Sequence, residues 1–344
     1  MSTPAVAADV TTGLRGRPGR VASSPALRLI GKRLATAIPV LWGVTFLTFL
    51  VVNRLPGDAA QQLLGINATQ QQINELRAKL NLDEPFLSRY FSWLGHTLTG
   101  DLGSSFASDQ SVTSILSERL PVTFELLAYA LIVSLIFTVP VALIAARRPN
   151  GIVDRVTMAI SMAGLSVANY VLALILVYVF AVKLDVLPAI GYVNPSDGLG
   201  PFLKSLTLPA ISIGFPLFCF YTRLLRADIL EQMQGEDYVV TAAAKGVGPW
   251  RVLVRHALPN SLFGLLTVVG LNIGTLIGVT VIIESIFALP GIGQALVEAI
   301  NNRDLLVVQG IVLVLAVVVV IANLITDLLY AVLDPRIRYG RTAA

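Results

Sequence analysis

The chain has 344 residues, 55% hydrophobic and only 13% charged, with a mean hydropathy of +0.75. Soluble domains carry roughly 25% charged residues, so this composition excludes an ordinary soluble fold and points to a lipid-embedded chain. The formal charge of +4 is too small to specify a nucleic-acid partner, and the single Cys219 excludes an intrachain disulfide. His96 and His256 stand far from any Cys or carboxylate at ligand spacing, so no metal site is expected.

In chain order, residues 1–28 read as a disordered basic tail with Arg15, Arg17, Arg20 and Arg28 among Gly, Ser and Pro. A membrane crossing needs about 20 apolar residues to cover some 30 Å of hydrocarbon. Six stretches qualify: Leu34–Val52, Val122–Ala146, Val156–Val182, Leu208–Leu225, Leu262–Phe287 and Leu306–Leu329. The first, within a helix expected over 29–53, lacks a cleavage signal and reads as a retained anchor. Asn169 and Tyr170 interrupt the third and Pro216 the fourth, breaks that a helical bundle tolerates. The fold class is therefore an all-α membrane protein with six transmembrane helices.

Between the first two crossings, residues 54–121 read as an extramembrane helical insertion. Thr69 is a candidate N-cap for "TQQQINELRAKL", and "FLSRYFSWLGHTL" is amphipathic and aromatic, suited to a membrane interface. A lid on the rim of the bundle and a docking surface for an extracytoplasmic partner both account for it. Lys and Arg set the orientation: with the N-terminus inside, 17 fall on the inner segments and 8 on the outer ones. Both termini are expected to be cytoplasmic, the last ten residues, 335–344, forming a second tail.

A polar, basic segment over 227–260 separates the fourth and fifth crossings. "EDYVVTAAA" predicts a helix with Glu236 and Asp237 at its positive end and Gly246 as the residue after its C-cap. A second helix is expected to open at Pro249 and stop before Pro259. Three-four spacing puts Trp250, Leu253, Val254, Ala257 and Leu258 on one face and Arg251 and Arg255 on another. Ala242, Ala243 and Ala244 leave a smooth surface for a close protein neighbour. An amphipathic helix lying on anionic lipid would use the same residues.

"G-x9-H-A-L-P", from Gly246 to Pro259, resembles the loop of integral-membrane subunits of ABC importers, Glu-Ala-Ala-x3-Gly-x9-Ile-x-Leu-Pro. Gly246, Leu258, Pro259 and Ala242 keep the spacing; Val240, Thr241 and His256 depart from it. "RLATAIPVLWGVTFLTFLVVNRLPGDAA", "GDLGSSF", "ERLPVTFELLAYAL", "VIIESIFALPGIGQALVEAINNRDLLVVQG" and "DLLYAVLDPRIR" extend the likeness to permeases for dipeptides, oligopeptides and nickel, in particular their B-type subunit. The resemblance implies a type I importer permease fold in a bacterial inner membrane. It also implies a coupling helix over Thr241, Ala242, Ala243, Ala244, Lys245, Gly246, Pro249, Trp250, Arg251, Leu258 and Pro259. The implied partners are a homologous second permease, one or two ATPase subunits holding ATP and Mg, and an extracytoplasmic substrate-binding protein. Peptide is the implied cargo, with nickel or another small solute as the alternative.

This chain contains no G-x4-G-K-[ST] loop to cradle phosphates, so no cofactor is expected on it, and it lacks the G-x-S-x-G and H-E-x-x-H signatures of hydrolytic enzymes. An ion-coupled carrier would need ionisable groups within the bilayer. Glu125, Glu284 and Asp327 are the acids in the spans, and all lie near span ends, where structural hydrogen bonding or interfacial exposure is expected. Asn169, Asn272, Glu284, Pro290 and Gly291 are candidates for the pathway or its gate; Gly270, Gly274 and Gly278 suit either close packing or pathway lining.

Overall fold

A computed structural model describes residues 25–54, 68–79 and 83–333. Of the tail expected over 1–28, residues 1–24 lie outside the described residues and 25–28 are already helical; the tail over 335–344 lies outside them too, as do 55–67 and 80–82 of the insertion. The described chain is helical, its only β pairing an isolated bridge between Ser104 and Ser111.

Helix α1, Pro25–Arg54, is the first crossing and begins before the expected boundary at residue 29. Two short helices follow, α2 at Gln70–Lys79 and α3 at Phe86–Leu98. Helix α3 lies against α1: Phe49 meets Phe86 and Tyr90 edge to face at 4.9 and 5.4 Å, and the Tyr90 and Thr45 hydroxyls are 3.0 Å apart. The same aromatic cluster reaches Leu306 and Leu313, so this part of the insertion packs on the rim of the bundle.

Helix α4 runs from Val112 to Arg147, so the last ten residues of the expected insertion are already part of the second crossing. Ser111 starts it as a true N-cap, its hydroxyl accepting from Ser114 N–H at 3.2 Å. At 36 residues α4 is about 54 Å long and overruns the hydrocarbon. The third crossing is a bent pair, α5 (Ile152–Ser166) and α6 (Asn169–Leu176), the latter prolonged by a π-helical turn to Lys183. The two meet at 101° because Val167 and Ala168 take extended conformations (ψ 125° and 139°) and interrupt the helical ladder.

Helix α7, Leu199–Gly235, carries the fourth crossing far past the expected limits and takes in Pro209 and Pro216. Then come α8 (Asp237–Ala244), α9 (Pro249–Val252), α10 (Leu258–Phe287), α11 (Ile292–Asn301) and α12 (Leu305–Leu333). Five described helices are long and apolar enough to cross a membrane, and the bent pair makes six.

Lipid tails are as apolar as leucine, so helix association rests on close packing and interhelical hydrogen bonds. One core joins Leu126 and Ala130 of α4, Ala210 and Ile213 of α7, Ala173 of α6, and Ile277 and Ile283 of α10. Gly270 and Gly274 of α10 face Thr326 and Val319 of α12, the close-packing role open to these glycines, whereas the space beside Gly278 is open. A second core at the basic end of the bundle gathers Leu143 and Ala146 of α4 with Leu225 and Ile229 of α7. Arg226 of α7 forks onto both oxygens of Asp154 of α5, which is 3% exposed and also accepts the Asn150 N–H at 2.8 Å.

Candidate coupling site

The segment between α7 and α10 is built from local rules. Glu236 leaves helical geometry (φ −102°, ψ 123°) and ends α7, after which Asp237 places a carboxylate in the first turn of α8. Gly246 stands at φ +80°, a left-handed conformation that costs a side-chain-bearing residue roughly 1–2 kcal/mol. That turn lets Lys245 N–H reach Thr241 C=O at 3.1 Å and Val247 N–H reach Ala242 C=O at 3.2 Å, closing α8 with a six-to-one bond. Gly248 is extended and Pro249 occupies the start of α9, where its missing N–H has no partner to lose.

The second helix does not stop before Pro259. Leu253–Ala257 form a π-helical turn and α10 begins at Leu258, with Pro259 in its first turn. The wider turn accommodates the missing proline N–H without breaking the rod. It also changes the facing pattern. Val252, Leu253 and Ala257 are buried, whereas Val254 and Trp250 are exposed, so the expected five-residue apolar face is split.

Val239 and Ala242 of α8 bury against Val252, making the two short helices one packed unit. Leu253 and Ala257 then enter the second core between α4, α7 and α10. Trp250 presents its ring to the Arg147 guanidinium, 5.7 Å from the centroid, tying the unit to the end of α4. A side-chain chain completes the attachment: Asn260 donates to the Tyr238 hydroxyl at 2.7 Å, and Tyr238 donates to Gln232 at 2.5 Å. Nothing in the sequence pattern marks Gln232, Tyr238 and Asn260, because they lie on three separate elements and meet only in the fold.

Outward from this anchored base point Thr241, Ala244, Lys245, Gly246, Pro249, Trp250, Arg251 and Pro259; Leu258 is half-buried. Ala243 lies outside the residues whose side chains are described.

The pathway candidates divide. Asn169 starts α6 just after the bend, and Asn272 of α10 donates to the Tyr221 hydroxyl of α7 at 3.5 Å. Glu284, Pro290 and Gly291 come together at the opposite end of the bundle. Ala288 at φ +50° reverses the chain after α10, and Glu284 then accepts three hydrogen bonds: Thr123 hydroxyl at 2.7 Å, Gly293 N–H at 2.7 Å and Gln294 N–H at 3.1 Å. Thr123 accepts the Ile292 N–H at 2.9 Å, so Glu284 and Thr123 together cap α11. A Cβ added at Gly291 or Gly293 would collide with the Glu284 carboxylate, so glycine is required for this close approach.

The other two span acids are also held. Glu125 accepts the Tyr192 hydroxyl at 2.6 Å, and partial burial together with this bond pushes the Tyr192 phenol above its ordinary pKa, keeping it a donor. Arg33 of α1 donates to Asp327 of α12 at 2.8 Å. Each of the three acids thus has a hydrogen-bonding partner within the fold.

Comparison with known proteins agrees with this architecture. Residues 138–339 match the family described as "Binding-protein-dependent transport system inner membrane component", and residues 26–127 match the corresponding N-terminal family. A probable peptide ABC transporter permease protein of Sinorhizobium fredii is 37% identical over 308 residues, covering 90% of this chain and 98% of the relative. A dipeptide transport system permease protein of Alkalihalophilus pseudofirmus is 38% identical over 328 residues, covering 90% and 98%. A di/tripeptide transport system permease protein of Pseudomonas aeruginosa is 36% identical over 336 residues, covering 92% and 100%. With these two matches covering 26–127 and 138–339, the chain belongs to the inner-membrane components of binding-protein-dependent transport systems and is a multi-pass ABC transporter permease.

Proposed function

We propose that this permease imports di- or oligopeptides across a bacterial inner membrane, with α8 and α9 seated in an ATP-binding subunit on the cytoplasmic side. Peptides are named for all three relatives described above. The observation that carries the mechanism is the two-sided build of the α8–α9 unit. One side is anchored through Leu253 and Ala257 among α4, α7 and α10; the other leaves Thr241, Ala244, Lys245 and Trp250 open to a neighbour.

Such a unit converts a push from outside into movement of three crossings. A partner shifts the equilibrium between inward-open and outward-open states only through contacts that differ between them. Because the π-helical turn runs straight into α10, no slack loop absorbs the displacement. ATP and Mg would sit wholly on the ATPase subunits, a homologous permease would complete the pathway, and a binding protein would deliver cargo to the Glu284 end. Lys and Arg enrichment at the α8–α9 end supports cytoplasmic termini.

Peptide uptake in cells lacking this chain provides the test. The wild-type gene should restore accumulation of a labelled tripeptide. Gly246→Asp should abolish it, with the protein still inserted and Lys245→Cys still shielded from membrane-impermeant thiol reagents applied outside. Normal uptake by Gly246→Asp, or outside labelling at position 245, rejects the assignment.

A further inference from the structure

A cavity of about 440 Å³ opens at the Glu284 end of the bundle, lined by Glu118, Arg119 and Glu125 of α4, Tyr192 and Asn194 of the α6–α7 connection, and Pro290 after α10. That volume falls within the range of small-ligand sites, roughly 300–1,000 Å³. The remaining wall is Val122 and two further prolines, so polar chemistry is concentrated on a few groups.

Those groups have open valences. One oxygen of Glu125 is taken by Tyr192, which fixes the carboxylate in place; the other accepts no hydrogen bond among the described residues. Among the described residues Arg119 pairs loosely with Glu298, at 3.8 Å and longer than a hydrogen bond, and no hydrogen bond takes its N–H groups, although its charge also acts on Glu284. Glu118 sits at the exposed rim with one oxygen bonded to the Ser114 hydroxyl. A fixed carboxylate and a fork of N–H donors therefore share one cavity, on the same helix and six residues apart.

At 1.5 Å rise per residue, six residues separate Glu125 from Arg119 by about 9 Å along α4. An extended peptide advances about 3.3–3.6 Å per residue, so the two ends of a di- or tripeptide match that separation. The apolar prolines and Val122 contact the peptide between its ends without selecting side chains, as suits a carrier of varied sequences. We infer that this cavity is a binding site for the two termini of a short free peptide, the α-ammonium on Glu125 and the α-carboxylate on Arg119. The inference rests on the peptide reading above and deepens it: the membrane subunit itself would inspect the cargo's ends.

The test uses the assembled transporter in cells and in membranes. Glu125→Gln should lower sub-saturating uptake of trialanine about tenfold, the size of one lost charge-assisted bond, and Arg119→Gln by a similar factor. Glu125→Asp should keep part of the activity, and Tyr192→Phe should give an intermediate loss. In membranes, a photoreactive tripeptide with a central benzoylphenylalanine should label residues within 118–125 or 190–195. N-acetylation should weaken that labelling about tenfold in the wild type and add nothing to the loss caused by Glu125→Gln; C-amidation should behave likewise with Arg119→Gln.

Unchanged trialanine uptake in both variants overturns the site while leaving the peptide reading intact, as does labelling confined to other segments. A uniform loss in Glu125→Gln, equal for free and acetylated peptides, shows a purely structural acid and also overturns it. Crosslinking of Asn194→Cys to the binding protein without peptide would assign the cavity to a protein partner instead. If the wild-type transporter takes up no peptide at all, the peptide reading falls and takes this site with it.

Discussion

The two ends of the bundle treat their polar groups in opposite ways. At the Glu284 end a fully buried carboxylate collects Thr123, Gly293 and Gln294, and through Thr123 the Ile292 N–H, so α4, α10 and α11 are locked by satisfied donors. At the other end the α8–α9 unit satisfies its backbone with one glycine turn and leaves Lys245, Trp250 and Arg251 facing outward. A buried polar knot gives rigidity because each unmade bond costs its full desolvation penalty. An exposed, backbone-closed unit has little internal stability to lose and a free surface to offer. The contrast lies between the buried Glu284 knot, which locks three helices, and the α8–α9 surface, which faces outward over a base that the Arg226–Asp154 pair and the second core hold in turn.

The largest effect is expected from Glu284→Leu, which strands three donors in a buried site and should cost roughly 4 kcal/mol, seen as a large fall in unfolding temperature in detergent. Next, Arg226→Met removes the partner of the buried Asp154 and should cost about 3 kcal/mol, most of it regained when Asp154→Leu is added. Gly246→Asp inverts the pattern. Its left-handed backbone should cost only about 1 kcal/mol of stability, yet uptake should vanish. A Gly246→Asp protein as unstable as Glu284→Leu would break the contrast between the ends. The smallest stability changes, under about 1 kcal/mol, are expected from Trp250→Ala and Arg33→Gln, measured by the same unfolding assay. Trp250→Ala should nonetheless slow transport severalfold, whereas Arg33→Gln should leave it near normal, which sharpens the comparison to one functional surface.

Much of the architecture was legible because its causes are local. Six apolar stretches of bilayer length announce six crossings, and the structure lengthens α4 and α7 beyond them because helices continue through charged residues that hydropathy discounts. The turn at Gly246 and the start at Pro249 were readable for the same reason: a positive φ favours glycine, and a helix start tolerates proline. The apolar face of the second short helix departs from a regular 3.6-residue period because a π-helical turn over Leu253–Ala257 resets the register. Glu284 was recognisable as an acid near a span end, but its cap on α11 was not, since Thr123 lies 161 residues away.

The residues alone therefore determined the membrane setting, the number of crossings and the glycine-closed pair of short helices between the fourth and fifth of them, all of which follow from hydrophobicity and backbone preference over a few neighbouring positions. Folding in three dimensions decided the 101° bend of the third crossing, the pairing of Arg226 with Asp154, the cap made by Glu284 and the cavity that brings Arg119, Glu125 and Tyr192 together. Those features depend on which distant helices pack against one another, and a polar side chain shows its partner only when that packing has brought it within bonding distance.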